Sequence, residues 1–368
     1  MKRYGYIYEK IYDIKNIKNA MQKAAIGKRN QLRVRTILEN SDWYAHQIRK
    51  MLINQTYKPT KPYIKTIQDG VVGKSRTIHK PNFYPDQIIH WALMIQLEPV
   101  MMKGMYQYNC GSIPGRGTSY GQKALRKWLD NDPKNTKYCL KMDVKKFYPS
   151  IQAKYLKAAF RKKIKDKKCL WLIDTIIGTK DGQPIGFYTS QWFANFFLQD
   201  LDHFIKEKLG IKYYIRYVDD LVLLGPNKRK LHAARKEVQK FLSKIGLTLK
   251  NTWQVWPTKK RDIDFLGIRF FKNKTILRKR NALRIKRRMV KIKRKGYLNE
   301  QDASAFISYW GWIKRSDSYH FYHKNMQPYA TIAMARKVVS TNAKIRQIGG
   351  RGYAMQLSPV RRLQTVTA

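Results

Sequence analysis

Acidic residues are scarce in this sequence. Asp and Glu number 24 against 76 Lys and Arg in 368 residues, so the formal net charge is +52. A compact domain with this charge repels itself unless a polyanion neutralises it, and nucleic acid is the natural candidate because phosphate contacts release counterions. A ribosome-associated or membrane-surface protein is the plainer alternative. The 24 Tyr, nine Trp and 14 Phe favour instead a folded enzyme with surfaces on which bases stack.

Cysteines and long apolar runs are also few. Cys110, Cys139 and Cys169 form no C-x-x-C pair, which argues against a structural zinc site. Free thiols fit a reducing, cytoplasmic compartment. The segment Met1–Lys10 lacks the apolar core of a secretory signal. Because no apolar run approaches the roughly 18 residues of a membrane span, we expect no membrane partner.

Apolar periodicity and turn residues divide the chain into helices and strands. Helical spacing predicts helices in residues 1–60, 86–103, 120–129, 153–177, 190–209 and 229–245, and within 272–295. Thr189 or Ser190 is expected to cap the helix at 190–209. Strand patterns predict a hairpin around residues 68–70, a strand at 138–144, a hairpin at 213–224 and a strand pair that opens at 265–267. This mixture predicts an α+β protein.

Two of the few acids stand side by side at a predicted hairpin tip, in Tyr217-Val218-Asp219-Asp220. Adjacent carboxylates between apolar strands are costly unless they are solvated or bind a cation. A solvated tip is the plainer interpretation. However, Asp143 ends a second apolar strand in the same way. Two strands that each offer a carboxylate can build a two-metal site for in-line phosphoryl transfer.

A series of motifs in the chain resembles the ordered motifs of reverse transcriptases. The motifs are Arg76-Thr77-Ile78, Gly111-Ser112-Ile113-Pro114-Gly115-Arg116-Gly117-Thr118, Asp143 with Phe147-Tyr148, Pro184-Ile185-Gly186-Phe187-Tyr188-Thr189-Ser190-Gln191, Tyr217-Val218-Asp219-Asp220 and Phe265-Leu266-Gly267. The resemblance implies an α+β right-hand polymerase fold. It places fingers with a helical extension at 1–135, a palm with a small antiparallel sheet at 136–273, a helical thumb at 274–335 and a basic tail at 336–368.

Further segments are similar to the reverse transcriptases of diversity-generating retroelements. They are Arg3-Tyr4-Gly5, Glu9-Lys10-Ile11-Tyr12, Leu201-Asp202-His203-Phe204 and Ser308-Tyr309-Trp310-Gly311-Trp312. This resemblance implies error-prone cDNA synthesis from a template RNA with dNTPs, in the process called mutagenic retrohoming, assisted by a small basic accessory protein oligomer. A retron or other bacterial reverse transcriptase is an alternative. A non-catalytic RNA-binding protein with a polymerase fold is another, and it predicts the loss of a catalytic acid.

The resemblance also assigns roles by position around the acids. It makes Asp143, Asp219 and Asp220 the catalytic carboxylates, which hold two Mg²⁺ ions together with the backbone carbonyl of Val144. Tyr148 is the implied steric gate against a ribose 2′-hydroxyl, and the alternatives are a gate at Phe147 or a core role for Tyr148.

Nucleotide contacts are implied for residues of the fingers and of the motif at 184–191. Arg76, assisted by Lys74, is expected to bind the triphosphate. Ile185, Gly186 and Gln191 are expected to lie near the new base pair. Many members of the family have Gln where this chain has Ile185. An aliphatic side chain offers no hydrogen bond, which weakens discrimination between base pairs; a packing role is the alternative. Lys250 could protonate the leaving pyrophosphate, although a solvated lysine is the plainer interpretation.

Residues 272–295 contain thirteen Lys or Arg and no acid. Ile285, Met289 and Ile292 keep a helical apolar seam there, so we predict a helix with one core face and one basic face. One-signed charge along a helix repels itself, which favours a phosphate-tracking thumb surface over a merely solvated face. The residues expected to contact nucleic acid are Arg278, Lys279, Arg280, Arg284, Arg287, Arg288 and Lys291.

Overall fold

The computed structural model describes residues 3–68, 75–347 and 352–357. The chain forms two compact units, Met1–Gly117 with Leu140–Val255 and Thr118–Cys139 with Trp256–Ala368. The boundary expected between fingers and palm, after residue 135, does not coincide with a division between these units. Across the described ranges, no helix is long and apolar enough to cross a membrane.

The first unit begins with four helices, α1 (Tyr8–Ile11), α2 (Ile14–Ala24), α3 (Leu32–Glu39) and α4 (Ser41–Ile53). Asp13 caps α2 by accepting a hydrogen bond from the Asn16 amide. The buried face of α2 packs against α4 and against α5 (Ile88–Met102). The Asn16 side chain ties α2 to α5 by donating to the carbonyl of Ala92 over 3.1 Å. The helices predicted in 1–60 and 86–103 are confirmed.

An exposed hairpin lies between α4 and α5 in the chain. Strands β1 (Tyr63–Gln68) and β2 (Ser75–Lys80) are antiparallel, with Gln68 opposite Ser75. This pairing confirms the predicted hairpin, whose turn lies outside the described residues.

A four-stranded sheet carries the acids identified from the sequence. Its strands are β3 (Tyr138–Asp143), β4 (Tyr213–Tyr217), β5 (Asp220–Gly225) and β6 (Gln254–Pro257), in the order β4-β5-β3-β6. The side chains of Ile215, Val222 and Leu140 are fully buried, so the sheet is fixed by apolar packing. β4 and β5 form the predicted antiparallel hairpin, with Tyr217 opposite Asp220.

Six helices of the first unit follow or separate these strands. They are α7 (Phe147–Ser150), α8 (Ala153–Lys163), α9 (Lys167–Ile177), α10 (Tyr188–Phe197), α11 (Gln199–His203) and α12 (Lys228–Lys244), and a π-helical turn at Phe204–Lys208 extends α11. The predicted capping role of Thr189 or Ser190 is wrong. α10 begins at Tyr188, two residues before the predicted start at 190 and without a side-chain cap, and both hydroxyl residues are buried in its first turn.

The second unit combines α6 (Thr118–Asn131) with the C-terminal part of the chain. Its other elements are β7 (Ile263–Phe265), β8 (Ile268–Phe270), β9 (Thr275–Leu277), α13 (Lys279–Lys295), β10 (Tyr297–Leu298), α14 (Glu300–Ile313), α15 (Tyr319–Asn325), α16 (Ile332–Gln347) and β11 (Met355–Gln356). The side chain of Gln122 joins α6 to the turn between β7 and β8 by donating to the carbonyl of Leu266 over 2.9 Å.

The core of the second unit contains the apolar seam predicted from the sequence. Ile285, Met289 and Ile292 of α13 pack in one cluster with Phe306 of α14 and Val338 of α16. The tail expected to begin at residue 336 therefore starts inside a helix, and the apolar face of that helix belongs to this core.

Candidate active site

The β4–β5 hairpin holds Asp219 in a turn of two residues. Val218 at this turn has a φ of 58°, which is an uncommon conformation for a β-branched residue and costs on the order of 1–3 kcal/mol. Neighbouring groups must therefore hold Val218 in place. Asp219 follows it directly, and Asp220 begins β5.

Arg216 fixes this turn from inside the protein. Its guanidinium is fully buried and donates to the carbonyl of Val218 over 2.9 Å. It also forms a two-pronged ion pair with Asp202 of α11, with nitrogen–oxygen distances of 2.7 and 2.5 Å, and Asp202 accepts a further bond from the Tyr214 hydroxyl. Burial opposes the charge of Arg216, but Asp202 more than offsets it and raises the pKa of the guanidinium further.

The loop at Gly111 supports the turn from the other side. A Cβ on Gly111 would lie 2.7 Å from Cγ2 and 2.8 Å from the amide nitrogen of Val218, so a side chain there would displace the turn. The Gly111 carbonyl accepts a hydrogen bond of 2.5 Å from Asn195 of α10. The glycine in this sequence motif is therefore explained by close backbone approach.

Asp143 reaches the same place from β3. The Val144 amide donates to the carbonyl of Asp219 over 3.2 Å, and the Lys250 amide donates to the carbonyl of Asp143 over 2.8 Å. These bonds bring the end of β3 beside the hairpin turn. Asp143, Val144, Asp219 and Asp220 are thus gathered at one edge of the sheet.

The carboxylates repel one another and are partly neutralised by lysines. Burial and then repulsion by Asp143 raise the pKa of Asp219 to about 6, although Lys250 lowers it. The Lys250 ammonium lies 2.5 Å from an oxygen of Asp143, and the Lys141 ammonium lies 3.1 Å from an oxygen of Asp220.

The donor set at this edge fits a hard divalent cation. Carboxylate and carbonyl oxygens are the ligands that Mg²⁺ prefers, and a cation between Asp143 and Asp219 would relieve their repulsion. In the described ranges, however, no three His, Cys, Asp or Glu side chains form a ready-made metal cluster. Lys250 and Lys141 form ion pairs with two of the acids, so a metal ion would have to compete with these ammonium groups.

Phe147 and Tyr148 occupy different environments. Phe147 is buried in the core with 2% of its surface exposed. Tyr148 is half-buried, and burial followed by the charge of Asp219 raises the pKa of its hydroxyl to about 12. Of the two rings, Tyr148 is therefore the one whose hydroxyl is influenced by Asp219, and Phe147 belongs to the core.

The β2 strand contacts the motif that contains Ile185. The His79 amide donates to the carbonyl of Ile185 over 2.7 Å. Gly186 has a φ of 115°, and a Cβ there would lie 2.3 Å from the His79 carbonyl oxygen, so this approach requires glycine. Arg76 is exposed on the same strand. Lys74 lies outside the described residues.

Gln191 is exposed on α10 and lines a cavity of about 580 Å³ with Gly186 and His90. Burial lowers the pKa of His90 to about 3, and its Nδ1 atom has no hydrogen-bond partner within the described structure. This imidazole is therefore neutral at pH 7.

The basic helix α13 lies in the second unit. Arg278 pairs with Asp264 at 2.6 Å, and Arg288 pairs with the buried Asp302 at 2.7 Å. These two predicted nucleic-acid contacts are thus half-buried and engaged in ion pairs. The other five are exposed on the helix, namely Lys279, Arg280, Arg284, Arg287 and Lys291.

Sequence reasoning missed the residues that hold the hairpin. Asp202 was noticed only as part of a similar segment, and Arg216, Asn195 and Lys141 were not singled out. A signal was present, because Arg216 interrupts an otherwise apolar and aromatic strand. A buried charge requires a partner, but only the structure shows that the partner is Asp202.

Comparisons with known proteins show which family the sequence matches. The family model described as "Reverse transcriptase (RNA-dependent DNA polymerase)" matches residues 65–270. A retron Ec73 reverse transcriptase from Escherichia coli is 27% identical over 275 residues, which are 70% of this chain and 84% of that protein.

Solved structures that resemble the chain include two of apo telomerase from Candida tropicalis. One is 16% identical with a TM-score of 0.43, and the matched region is 58% of this chain and 47% of the telomerase chain. The other lacks the C-terminal domain and is 15% identical with a TM-score of 0.45. Its matched region is 65% of this chain and 60% of that telomerase chain. The chain thus spans about half the length of these telomerase chains.

The matched region contains β2, the motif at Ile185 and all three acids at the sheet edge. This sheet, with its acid-bearing hairpin and surrounding helices, is the palm of a right-hand polymerase. The chain belongs to the reverse transcriptase family, the RNA-dependent DNA polymerases, which use divalent metal ions.

Proposed function

We propose that the protein is the reverse transcriptase of a diversity-generating retroelement, which copies a template RNA into cDNA with errors opposite adenine. The observation that carries this proposal is Ile185. Its backbone carbonyl accepts a hydrogen bond from His79 of β2, and its half-buried side chain is aliphatic where many members of the family have glutamine.

Asp143 and Asp219, with Asp220 and the carbonyl of Val144, would hold two Mg²⁺ ions. When bound, such ions activate the attacking oxygen and stabilise the leaving oxygen of a phosphoryl transfer. The chain's own part is to position the acids through Arg216 and Gly111. Tyr148 would exclude the ribose 2′-hydroxyl, and Arg76 would hold the triphosphate of the incoming dNTP.

The exposed cations of α13 would follow the backbone of the template RNA and the cDNA. A small basic accessory protein oligomer is a further proposed partner. Two very basic proteins do not attract each other by charge, so RNA or apolar contacts would have to join them.

A retron-type enzyme is the second candidate. The relative with 27% identity over 275 residues is a retron reverse transcriptase, and this likeness favours that reading. The two candidates differ in fidelity, because the first predicts errors concentrated opposite adenine and the second does not.

The test is to copy an RNA of known sequence with the purified wild-type protein and with Ile185→Gln, and to sequence the cDNA. A restored hydrogen bond contributes about 0.5–1.5 kcal/mol, and about 1.4 kcal/mol corresponds to a factor of ten. We therefore expect Ile185→Gln to lower misincorporation opposite adenine several-fold.

Ile185→Leu is the matched control, because it keeps an aliphatic side chain, and its error spectrum should equal that of wild type. Identical spectra for Ile185→Gln and wild type would show that Ile185 only packs. A wild-type enzyme without adenine bias would favour the retron-type reading.

A further inference from the structure

A second cavity lies in the first unit, and its lining does not include Asp143, Asp219 or Asp220. It has a volume of about 600 Å³, a size that holds a small ligand or one nucleotide. The N-terminal Arg3-Tyr4 segment forms one wall, and α8, α10 and α11 supply others. This segment belongs to a sequence motif that the polymerase site does not use.

The cavity is rich in cations. Arg3, Lys103 and Lys162 line it and are exposed, and Lys163 lines it and is buried. Asp200 is the acid among its lining residues, and it pairs with Lys162 at 3.4 Å on the surface. The lining therefore carries a net positive charge.

Lys163 distinguishes this cluster from an ordinary solvated surface. Only 7% of its surface is exposed. Its ammonium donates to the Lys103 carbonyl over 2.6 Å and to Gln199 over 3.5 Å. No carboxylate of the described ranges pairs with it. Burial lowers the pKa of Lys163, and Asp200 offsets this only in part. A buried ammonium with neutral partners is costly, and an anion in the cavity would relieve that cost.

His203 also lines the cavity, and its positive charge is balanced by Glu207. Its two ring nitrogens lie 2.7 Å from a carboxylate oxygen of Glu207 and 2.8 Å from the carbonyl of Gly104. Both partners are acceptors, so the ring satisfies both bonds only as an imidazolium. Burial alone would lower the pKa of His203, but these two hydrogen bonds raise it overall.

The cations continue beyond the cavity along the chain. Lys165, Lys167 and Lys168 are exposed just after α8, and the Lys165 amide is bound to the carbonyl of Tyr4 over 2.8 Å. The acid within this run, Asp166, accepts hydrogen bonds from the backbone amides of Ile7, Tyr8 and Cys169. Its carboxylate is thus committed to the fold rather than to the neighbouring lysines.

We infer that this cavity binds a phosphate group of an RNA strand whose backbone continues along the exposed lysines. The inference rests on the proposed function in that this enzyme handles RNA, but it concerns a site separate from the acids. A single buried cation beside a line of exposed cations fits a polyanion strand better than an isolated phosphate.

The test compares two double variants that each remove two exposed cations from the first unit. Arg3→Ala with Lys103→Ala alters the cavity, whereas Lys236→Ala with Lys244→Ala alters α12 and serves as the control with the same change in charge. Binding of a fluorescein-labelled single-stranded RNA is measured as a function of salt. Each lost phosphate contact lowers the slope of log K against log salt by about 0.7, or affinity by about fivefold near 0.1 M salt.

We expect the cavity variant to lose affinity by more than about tenfold and to lower the slope by about 1.4. The control should change little, because Lys236 and Lys244 do not line the cavity. RNA that contains 4-thiouridine should cross-link to the peptide that contains Tyr4. Equal loss in both variants, or cross-links that avoid this peptide, would overturn the inference. Equally, release of the RNA by inorganic phosphate or a free dNTP at low concentration would reassign the cavity to a small ligand.

These binding measurements need no DNA synthesis. Extension of a short primer on an RNA template by the wild-type protein tests the proposed function separately. A protein that fails to extend the primer but shows the expected binding difference would refute the proposed function and leave the RNA site intact.

Discussion

The ion pair between Arg216 and Asp202 gives a sharp test of how the active-site hairpin is held. Both side chains are completely buried, and Asp202 accepts from Arg216 at 2.7 and 2.5 Å and from Tyr214 at 2.7 Å. Asp202→Asn keeps the size of the side chain but removes its charge. The guanidinium is then left buried without a counter-charge, which costs about 3–5 kcal/mol.

The matched control is Asp200→Asn on the same helix. The Asp200 side chain is 64% exposed and pairs with Lys162 on the surface, so its loss is expected to change stability by about 0–1 kcal/mol. Thermal unfolding followed by circular dichroism measures the Tm of both variants. For a unit of this size about 1 kcal/mol shifts Tm by about 2–4 °C, so Asp202→Asn should lower Tm by about 6–20 °C.

A double variant separates the buried charge from the lost contacts. Asp202→Asn combined with Arg216→Met removes the unpaired guanidinium, and we expect it to be more stable than Asp202→Asn alone. The reasoning is refuted if Asp202→Asn is no less stable than Asp200→Asn, or if the effects of the two substitutions simply add.

Three further predictions concern the site and its surroundings. Asp219→Asn should abolish DNA synthesis with Mg²⁺, because an amide does not supply the anionic oxygens that this ion prefers. Stability should be kept, because burial and Asp143 raise the pKa of Asp219 and so disfavour its ionised form in the fold, and RNA binding should be kept as well. Primer extension, RNA binding and thermal unfolding check this, and retained synthesis would refute the metal assignment. Tyr148→Ala should increase ribonucleotide incorporation, since its ring lies beside Asp219; unchanged selectivity between dNTP and rNTP in an active variant would contradict the gate. The pKa of His90 is about 3 in the fold and about 6.5 in the unfolded chain. Between pH 6.5 and pH 3 the unfolded chain therefore binds more protons than the folded protein, and the free energy of unfolding falls as the pH falls. From pH 7 to about 5.5 this loss is about 1 kcal/mol, and it should be absent in His90→Gln; equal pH dependence of unfolding in both proteins would show that His90 is not buried as a neutral ring.

Local patterns predicted the elements of this chain better than their grouping. The hairpin at Asp219, the strand ending at Asp143 and the seam of α13 were all predicted, because alternation and helical spacing are properties of neighbouring residues. The predicted helix at 190–209 is instead divided into α10, α11 and a π-helical turn. No glycine or proline marks those breaks, so local sequence gave no sign of them.

The grouping of elements depends on contacts between distant residues. The resemblance places the fingers at residues 1–135, a range that includes α6, and local sequence did not indicate that Gln122 of α6 donates to the carbonyl of Leu266, 144 residues away. Similarly, the basic tail expected at 336–368 begins within α16, where Val338 and Asn342 are buried. A helix with a few apolar residues on one face is compatible with a tail or with a core, and only its neighbours decide which.

The distribution of the few acids connects the fold to the chemistry. Asp202 is paired with Arg216, and the buried Asp302 is bound by both Arg288 and Lys295. At the sheet edge the acids outnumber the cations paired with them, because three carboxylates meet two lysine ammonium groups. That edge keeps an excess negative charge within a chain of net charge +52. Repulsion between like charges of this kind is relieved by a divalent cation. Asp202 and Asp302 thus stabilise arginine and lysine side chains inside the fold, whereas the carboxylates at this edge keep a mutual repulsion that raises the pKa of Asp219 and that a divalent cation would relieve.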